Sequence, residues 1–306
     1  MSKSIYIIGL GKVGTSFFFE LTDKGYEVNF VSISQTNLAD KIISENNSVS
    51  VSLNIEKDFI IKSDIILICV QDRNLKEVIK SISLLNIDLS EKYFFHTSGS
   101  ESSELFSYDC FNSNNVVSMH PIQTFDKPSL SNNHLLEKIY FGIEGGNEGK
   151  KVAVEIIENL NSNYIEIPRE KKYLYHSACV ISSNFLITLL NISSEIMGSI
   201  GIEKSKTFEI FQPIIENTLK NISEDGLINS LTGPFDRNDI ETISNHLNSI
   251  NKELPSLIPF YTLLGMETVK VAFKKESLNL KNVISILDLM NEYIISESAN
   301  TNKTVN

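Results

Sequence analysis

The stretch Ile5-Tyr6-Ile7-Ile8-Gly9-Leu10-Gly11-Lys12-Val13-Gly14 decides the fold. A short apolar run ends in glycine, and Thr15–Lys24 continues with helical spacing. Strand, glycine turn and helix, in that order, are the context that a G-x-G-x-x-G sequence needs before it reads as a phosphate-binding turn. Gly9 permits the tight turn. Gly11 lets backbone approach a pyrophosphate at the helix N-terminus, and Gly14 lets helix and strand pack closely. Gly9, Leu10, Gly11, Lys12, Val13 and Gly14 are therefore the candidate dinucleotide contacts.

Outward from this turn, strands and helices alternate. Tyr26–Ser32 reads as a second strand, Asn37–Glu45 as a helix and Val49–Leu53 as a short strand. Asp64–Val70 is nearly all apolar, as a parallel strand buried on both faces would be. Leu75–Leu85 has the period of an amphipathic helix. Tyr93–His96, Val116–Met119, Tyr140–Ile143 and Tyr164–Ile167 are further strands, with a helix near Asn147–Asn161. The alternation predicts an α/β doubly wound Rossmann domain over residues 1–167, with right-handed crossovers. After Pro168 the strand signals stop. One long helix runs from Lys171 to about Ser199, and others follow at about 204–222, 239–251, 254–274 and 280–296. Residues 168–306 thus read as an all-α C-terminal domain for substrate binding and dimerisation.

The end of the second strand selects the cofactor. An NAD enzyme usually places a carboxylate there for the ribose hydroxyls. This chain has Ser32-Ile33-Ser34-Gln35-Thr36 and no carboxylate before Asp40, so Ser32 and Ser34 favour NADP(H) over NAD. Further contacts belong at the carboxyl ends of strands: Val70 and Gln71 after the fourth, Thr97 and Ser98 after the fifth. His96 reads as structural.

Candidates for a substrate site lie further on. His120 and Gln123 sit in His-Pro-Ile-Gln-Thr-Phe after the sixth strand. His176, Val180, Ser183 and Asn184 share one stripe of the long helix, which is otherwise apolar nearly all round and so expected to be buried. The turn-rich segment from Ser230 to Asp239 offers Thr232, Arg237 and Asp239. Arg237 is a cation suited to a carboxylate, and Asp239 is a cap for the next helix. His246 reads as structural.

Composition narrows the class. The 306 residues are 42% hydrophobic and 21% charged, as in a globular chain of two domains. A net charge of -11 argues against nucleic acid and anionic membranes as partners, but leaves room for a small anionic substrate at a local cation. Cys69, Cys110 and Cys179 form neither a disulfide framework nor a zinc site, and no metal is expected. Cys69 and Cys179 read as buried small hydrophobes. The chain enters a strand almost at once, without the pattern of a secretion signal. Its longest apolar stretch, Ala178 to Leu190, falls short of a bilayer span, so a cytoplasmic protein is expected.

The segments GLGKVG, HTSGS, HPIQTF, YHSACVISSNF and SLTGPFDRND, in this order from residue 5 to about 246, together resemble a family of Rossmann-like reductases. Its helical C-terminal domain, formerly of unknown function, carries an LTGP-x-x-R-x-D motif. The family is similar in layout to ketopantoate reductases, pyrroline-5-carboxylate reductases and β-hydroxyacid dehydrogenases. The resemblance implies a homodimer that uses NADPH to reduce a small 2-oxo acid, first of all ketopantoate to pantoate in pantothenate and coenzyme A synthesis. Ketopantoate reductases carry Lys and Asn on the first long helix. Laying that pattern on Asn184 puts His176 in the lysine's place and Val180 where another Asn would be. The implied catalytic set is His176 as proton donor, Asn184 or Ser98 assisting, and Arg237 on the substrate carboxylate. An imine, pyrroline-carboxylate or prephenate-type dehydrogenase is a second reading, and a non-catalytic NADP-binding sensor a third.

Overall fold

A computed structural model describes residues 3–32, 49–128 and 131–301. The helix expected over Asn37–Glu45 lies outside the described residues. The opening stretch folds as β1 (Ser4–Ile8), the glycine turn, α1 (Lys12–Asp23) and β2 (Glu27–Ser32). Then come β3 (Ser50–Ser52), α2 (Lys57–Lys62), β4 (Ile65–Ile68), α3 (Asp72–Ser83), β5 (Tyr93–His96), β6 (Val116–Pro121), β7 (Tyr140–Gly145), α4 (Asn147–Asn159) and β8 (Asn163–Glu166). The short helix α2 was not expected from the sequence.

All eight strands form one sheet in the order β3-β2-β1-β4-β5-β6-β7-β8. The first six run parallel. The strand β7 is antiparallel to β6, and β8 follows β7's direction. This corrects the expectation of crossover connections throughout. Among the described residues between β6 and β7 there is no helix, and a strand that returns by a loop can pair only antiparallel with its neighbour.

The pleat sends alternate residues to opposite faces. Ile5 and Ile7 of β1 join a core with Phe17, Leu21 and Phe141. Tyr6 and Ile8 join the core on the other face, with Leu75, Ile79 and Phe94. The four residues of β4 are all buried, which accounts for their unbroken apolar run.

Beyond β8 the chain is helical: α5 (Lys172–Ser199), α6 (Lys204–Asn229), α7 (Ile240–Glu253), α8 (Ile258–Lys274) and α9 (Leu280–Thr301). The helix α6 runs past the expected end at 222, with a kink at Gly226, whose φ is 81°. The chain divides into two compact units, Met1–Phe185 and Leu186–Asn306. The first therefore takes in the opening turns of α5, which the sequence division at 167/168 assigned to the helical domain. The second unit has its own core, including Ile243, Leu247, Ile258, Val269 and Met290.

Two expectations about α5 are corrected. The helix was expected to be buried, yet Lys172 is its only buried residue, while Leu174, Ile181, Phe185 and Ile187 are exposed by 54–69%. A helix apolar nearly all round needs cover on several sides, and the described residues do not supply it. Cys179 is accordingly half-buried, unlike Cys69. The helical stretch Arg169–Ser199 also contains an 18-residue window of mean hydropathy 1.4, long and apolar enough by length and composition to cross a bilayer. Its first turns, however, are tied to the sheet by Lys172 and Tyr175, described next, as in a helix packed within a domain.

Candidate active site

The glycine turn has the shape of a phosphate cradle. Gly9 has φ +95°, and a Cβ there would lie 2.8 Å from Val70 Cγ1 and 3.0 Å from the Cys69 carbonyl. A side chain on Gly14 would overlap the Gly9 carbonyl. At Gly11 a Cβ would meet nothing within 4 Å, so the space before α1 is open there. Gly11 is the N-cap of α1 and offers no side chain to its free N–H groups. These features fit a pyrophosphate at the helix N-terminus. Leu10 is buried under the turn, Val13 is half-buried, and Lys12 is exposed.

The other cofactor candidates are placed less uniformly. Ser32 is buried. Its hydroxyl is hydrogen-bonded to the Tyr6 hydroxyl and donates to the Asn54 carbonyl at 2.5 Å. It is thus engaged inside the fold. Ser34 lies outside the described residues. Gln71 is exposed at the N-cap of α3, and Thr97 is half-buried with its side chain hydrogen-bonded to Cys69.

At the carboxyl ends of β5 and β6 a polar cluster gathers around Gly99. A Cβ on Gly99 would lie 2.5 Å from His176 Nδ1 and 2.8 Å from His120 Nε2. The absence of a side chain is what admits both imidazoles. Their rings meet edge to face, with centroids 5.7 Å apart. His176 Nδ1 is buried and has no hydrogen-bond partner among the described residues. His120 Nδ1 is hydrogen-bonded to the Tyr175 hydroxyl at 2.7 Å. Beneath them, Lys172 is 1% exposed, and its ammonium donates to Ser118 Oγ at 2.7 Å and to the Ser98 carbonyl at 3.3 Å.

Both acceptors of Lys172 are neutral, and this shapes the electrostatics. Burial outweighs the pull of Glu144 and Asp72 and lowers the Lys172 pKa to about 8. Burial, then the charges of Lys172 and His176, hold His120 down at about 4. His96, fully buried, is also held at about 4 by burial and Lys172. Its Nδ1 accepts from the Ser98 N–H and its Nε2 faces the Ser102 carbonyl, both at 3.3 Å, as its structural reading anticipates. Nearby, burial raises the Glu144 carboxyl, but hydrogen bonds from the Ser103 N–H and hydroxyl and from Arg169 hold it below the usual range.

The sequence-predicted residues thus separate into groups. His176, His120 and the backbone of Ser98 come together. The Ser98 hydroxyl accepts from the Glu101 N–H and closes the turn. Two turns beyond His176, Ser183 is half-buried and Asn184 exposed. Gln123 is exposed and holds the Thr124 N–H. Thr232, Arg237 and Asp239 belong to the second unit. There Asp239 caps α7 by accepting from the Thr242 N–H at 3.0 Å, and the exposed Arg237 lies in the field of Asp236 and Asp239.

Sequence reasoning missed Lys172 and Tyr175. Lys172 lies one helical turn before His176, so the polar stripe of α5 starts a turn before His176. Lysines are almost never fully buried, and nothing in the local pattern marks this one as an exception.

Comparison with known proteins agrees with this architecture. Residues 4–92 match the family model described as "NADP oxidoreductase coenzyme F420-dependent", and residues 139–268 match "Domain of unknown function (DUF2520)". The first match supports an oxidoreductase. No curated protein matches the chain in sequence. A Thermotoga maritima protein shares 24% identity at a TM-score of 0.69, over 89% of this chain and 99% of its own. A Bacteroides fragilis protein, provisionally named an NADP oxidoreductase, shares 19% at 0.66, over 88% and 98%. The pyrroline carboxylate reductase of Plasmodium falciparum, in a structure with NADP bound, shares 13% at 0.57, over 94% and 98%. At these identities the likeness establishes the fold.

Proposed function

We propose that this chain is a cytoplasmic, NADPH-dependent reductase of a small 2-oxo acid, with ketopantoate the first substrate to test. The observation that carries the reading is the meeting of His120, His176 and the buried Lys172 around Gly99, at the strand ends where a doubly wound sheet binds its ligands. The glycine turn and the N-terminus of α1 would hold the pyrophosphate, and NADPH when bound supplies a hydride. The chain's own residues must then polarise the carbonyl and pass a proton to its oxygen.

His176 Nδ1 is buried, without a hydrogen-bond partner among the described residues, and directed at Gly99, which suits a group that waits for a substrate oxygen. The Lys172 cation favours negative charge developing on that oxygen. Its lowered pKa still leaves it mostly protonated at neutral pH. Arg237 is proposed as a cation suited to a carboxylate. NADPH is preferred to NADH because no carboxylate stands between Ser32 and Asp40 to repel a 2′-phosphate.

A second reading is reduction of a cyclic imine acid, which the same proton machinery would serve, since an imine nitrogen also takes up a proton as its carbon is reduced. Purified protein assayed with NADPH against 2-oxo acids and against pyrroline carboxylate separates the two. Turnover of ketopantoate supports the first reading. Turnover confined to the imine moves the assignment to the second. NADPH binding without consumption by any of these acids would mean a sensor.

A further inference from the structure

Tyr175 opens the YHSACVISSNF segment but was given no role by the sequence, yet it makes the only hydrogen bond that the described residues give to the His120 imidazole. The geometry points to Tyr175 as a positioning residue that locks His120 in the tautomer with its proton on Nε2, so that His120 presents a hydrogen-bond donor beside Gly99. The use of that donor in catalysis rests on the reductase reading; the tautomer itself does not.

The direction of the 2.7 Å bond follows from what each group can give. Burial drives the Tyr175 phenol pKa upward, so the hydroxyl keeps its proton. His120 is neutral at neutral pH and therefore has one acceptor nitrogen. The rival acceptor for the phenol is Cys179, which lies one turn along α5 and is also hydrogen-bonded to Tyr175. A thiol sulfur accepts weakly and an imidazole nitrogen strongly, so the phenol proton goes to His120 Nδ1. The charged and titratable groups that act on His120 are Lys172 and His176 from α5, Asp72 from α3 and His96 from β5. None of them is hydrogen-bonded to Nδ1. The proton of His120 is left to Nε2, the atom that faces Gly99 together with the unpartnered His176 Nδ1.

The fold leaves room for this lock. The Tyr175 hydroxyl lies against Gly142 in β7, where any Cβ would overlap it. Gly142 pairs with His120 across the β6–β7 ladder, so the imidazole, its hydroxyl partner and the gap that admits the hydroxyl occupy one register position.

Nitrogen-15 NMR of the full chain with labelled histidine tests this, because protonated and bare imidazole nitrogens resonate far apart. A His120→Gln spectrum identifies the His120 signals. Wild type should show one tautomer at neutral pH, with Nε2 protonated. Tyr175→Phe, which keeps the ring, and Gly142→Ala, which displaces the hydroxyl, should each populate both tautomers. Protonated Nδ1 in wild type would overturn the proposal, as would an unmixed Nε2–H tautomer in a folded Tyr175→Phe. If the protein proves to be a reductase, Tyr175→Phe should lower kcat by roughly tenfold with KM little changed, the scale of one hydrogen bond. If it reduces none of the acids tested, the spectra still decide the tautomer.

Discussion

Charging His96 means placing a proton on an imidazole with no exposed surface, within the field of Lys172. Its folded pKa of about 4 lies below the unfolded value of 6.5. Between the two the unfolded chain binds the proton and the folded chain does not. Stability is then fully present above about pH 6.5 and is lost as pH falls toward 4, by on the order of 3 kcal/mol. His120 acts in the same direction. Urea midpoints across this window should fall more steeply for wild type than for His96→Gln; equal slopes would remove His96 as the cause. Ser32 shows how far the sequence could reach at this scale. The missing carboxylate after β2 was legible, but the burial of the Ser32 hydroxyl between Tyr6 and Asn54 was not, because neither partner is near it in sequence. Ser32→Asp should accordingly destabilise the fold before it changes cofactor choice, since it buries a carboxylate in place of a bonded hydroxyl. A melting temperature unchanged from wild type would contradict this.

At the scale of elements, β1, the glycine turn and α1 were legible because one local pattern specifies all three. Gly11→Val tests their use. Its side chain would enter open space, so folding stability should change by no more than about 1 kcal/mol, the range of N-cap effects. NADPH affinity, measured by fluorescence titration, should be lost; retained affinity would dissociate the turn from the cofactor. The cap of α7 was equally legible, and Asp239→Ala should cost about 1 kcal/mol in a urea titration. A negligible cost would mean that the cap does not support its helix. What local pattern did not reveal was the direction of β7 or the surroundings of Lys172. The first depends on how residues 122–139 return to the sheet. The second depends on Ser98 and Ser118, 74 and 54 residues away in sequence.

At the scale of the whole molecule, the bare apolar residues of α5 bear on the expected homodimer. Burying Leu174, Ile181, Phe185 and Ile187 would recover on the order of 1.5–3 kcal/mol for each fully covered side chain. The chain is 34.4 kDa. Light scattering at micromolar concentration should give about twice that mass, and Ile187→Glu should return it toward the single-chain value. A single-chain mass for wild type would leave the exposed helix for another partner.

In the proposed reaction the cluster around Gly99 moves a proton during NADPH-dependent reduction. Steady-state NADPH oxidation with ketopantoate, measured beside NADPH affinity for wild type and His176→Ala, tests it most directly. Wild type should turn over, and the variant should lose about 10²–10⁴-fold in kcat, with KM and NADPH affinity nearly unchanged. A His176→Ala enzyme with wild-type kcat, or a wild-type protein that binds NADPH and oxidises it with neither a 2-oxo acid nor an imine acid, would contradict it.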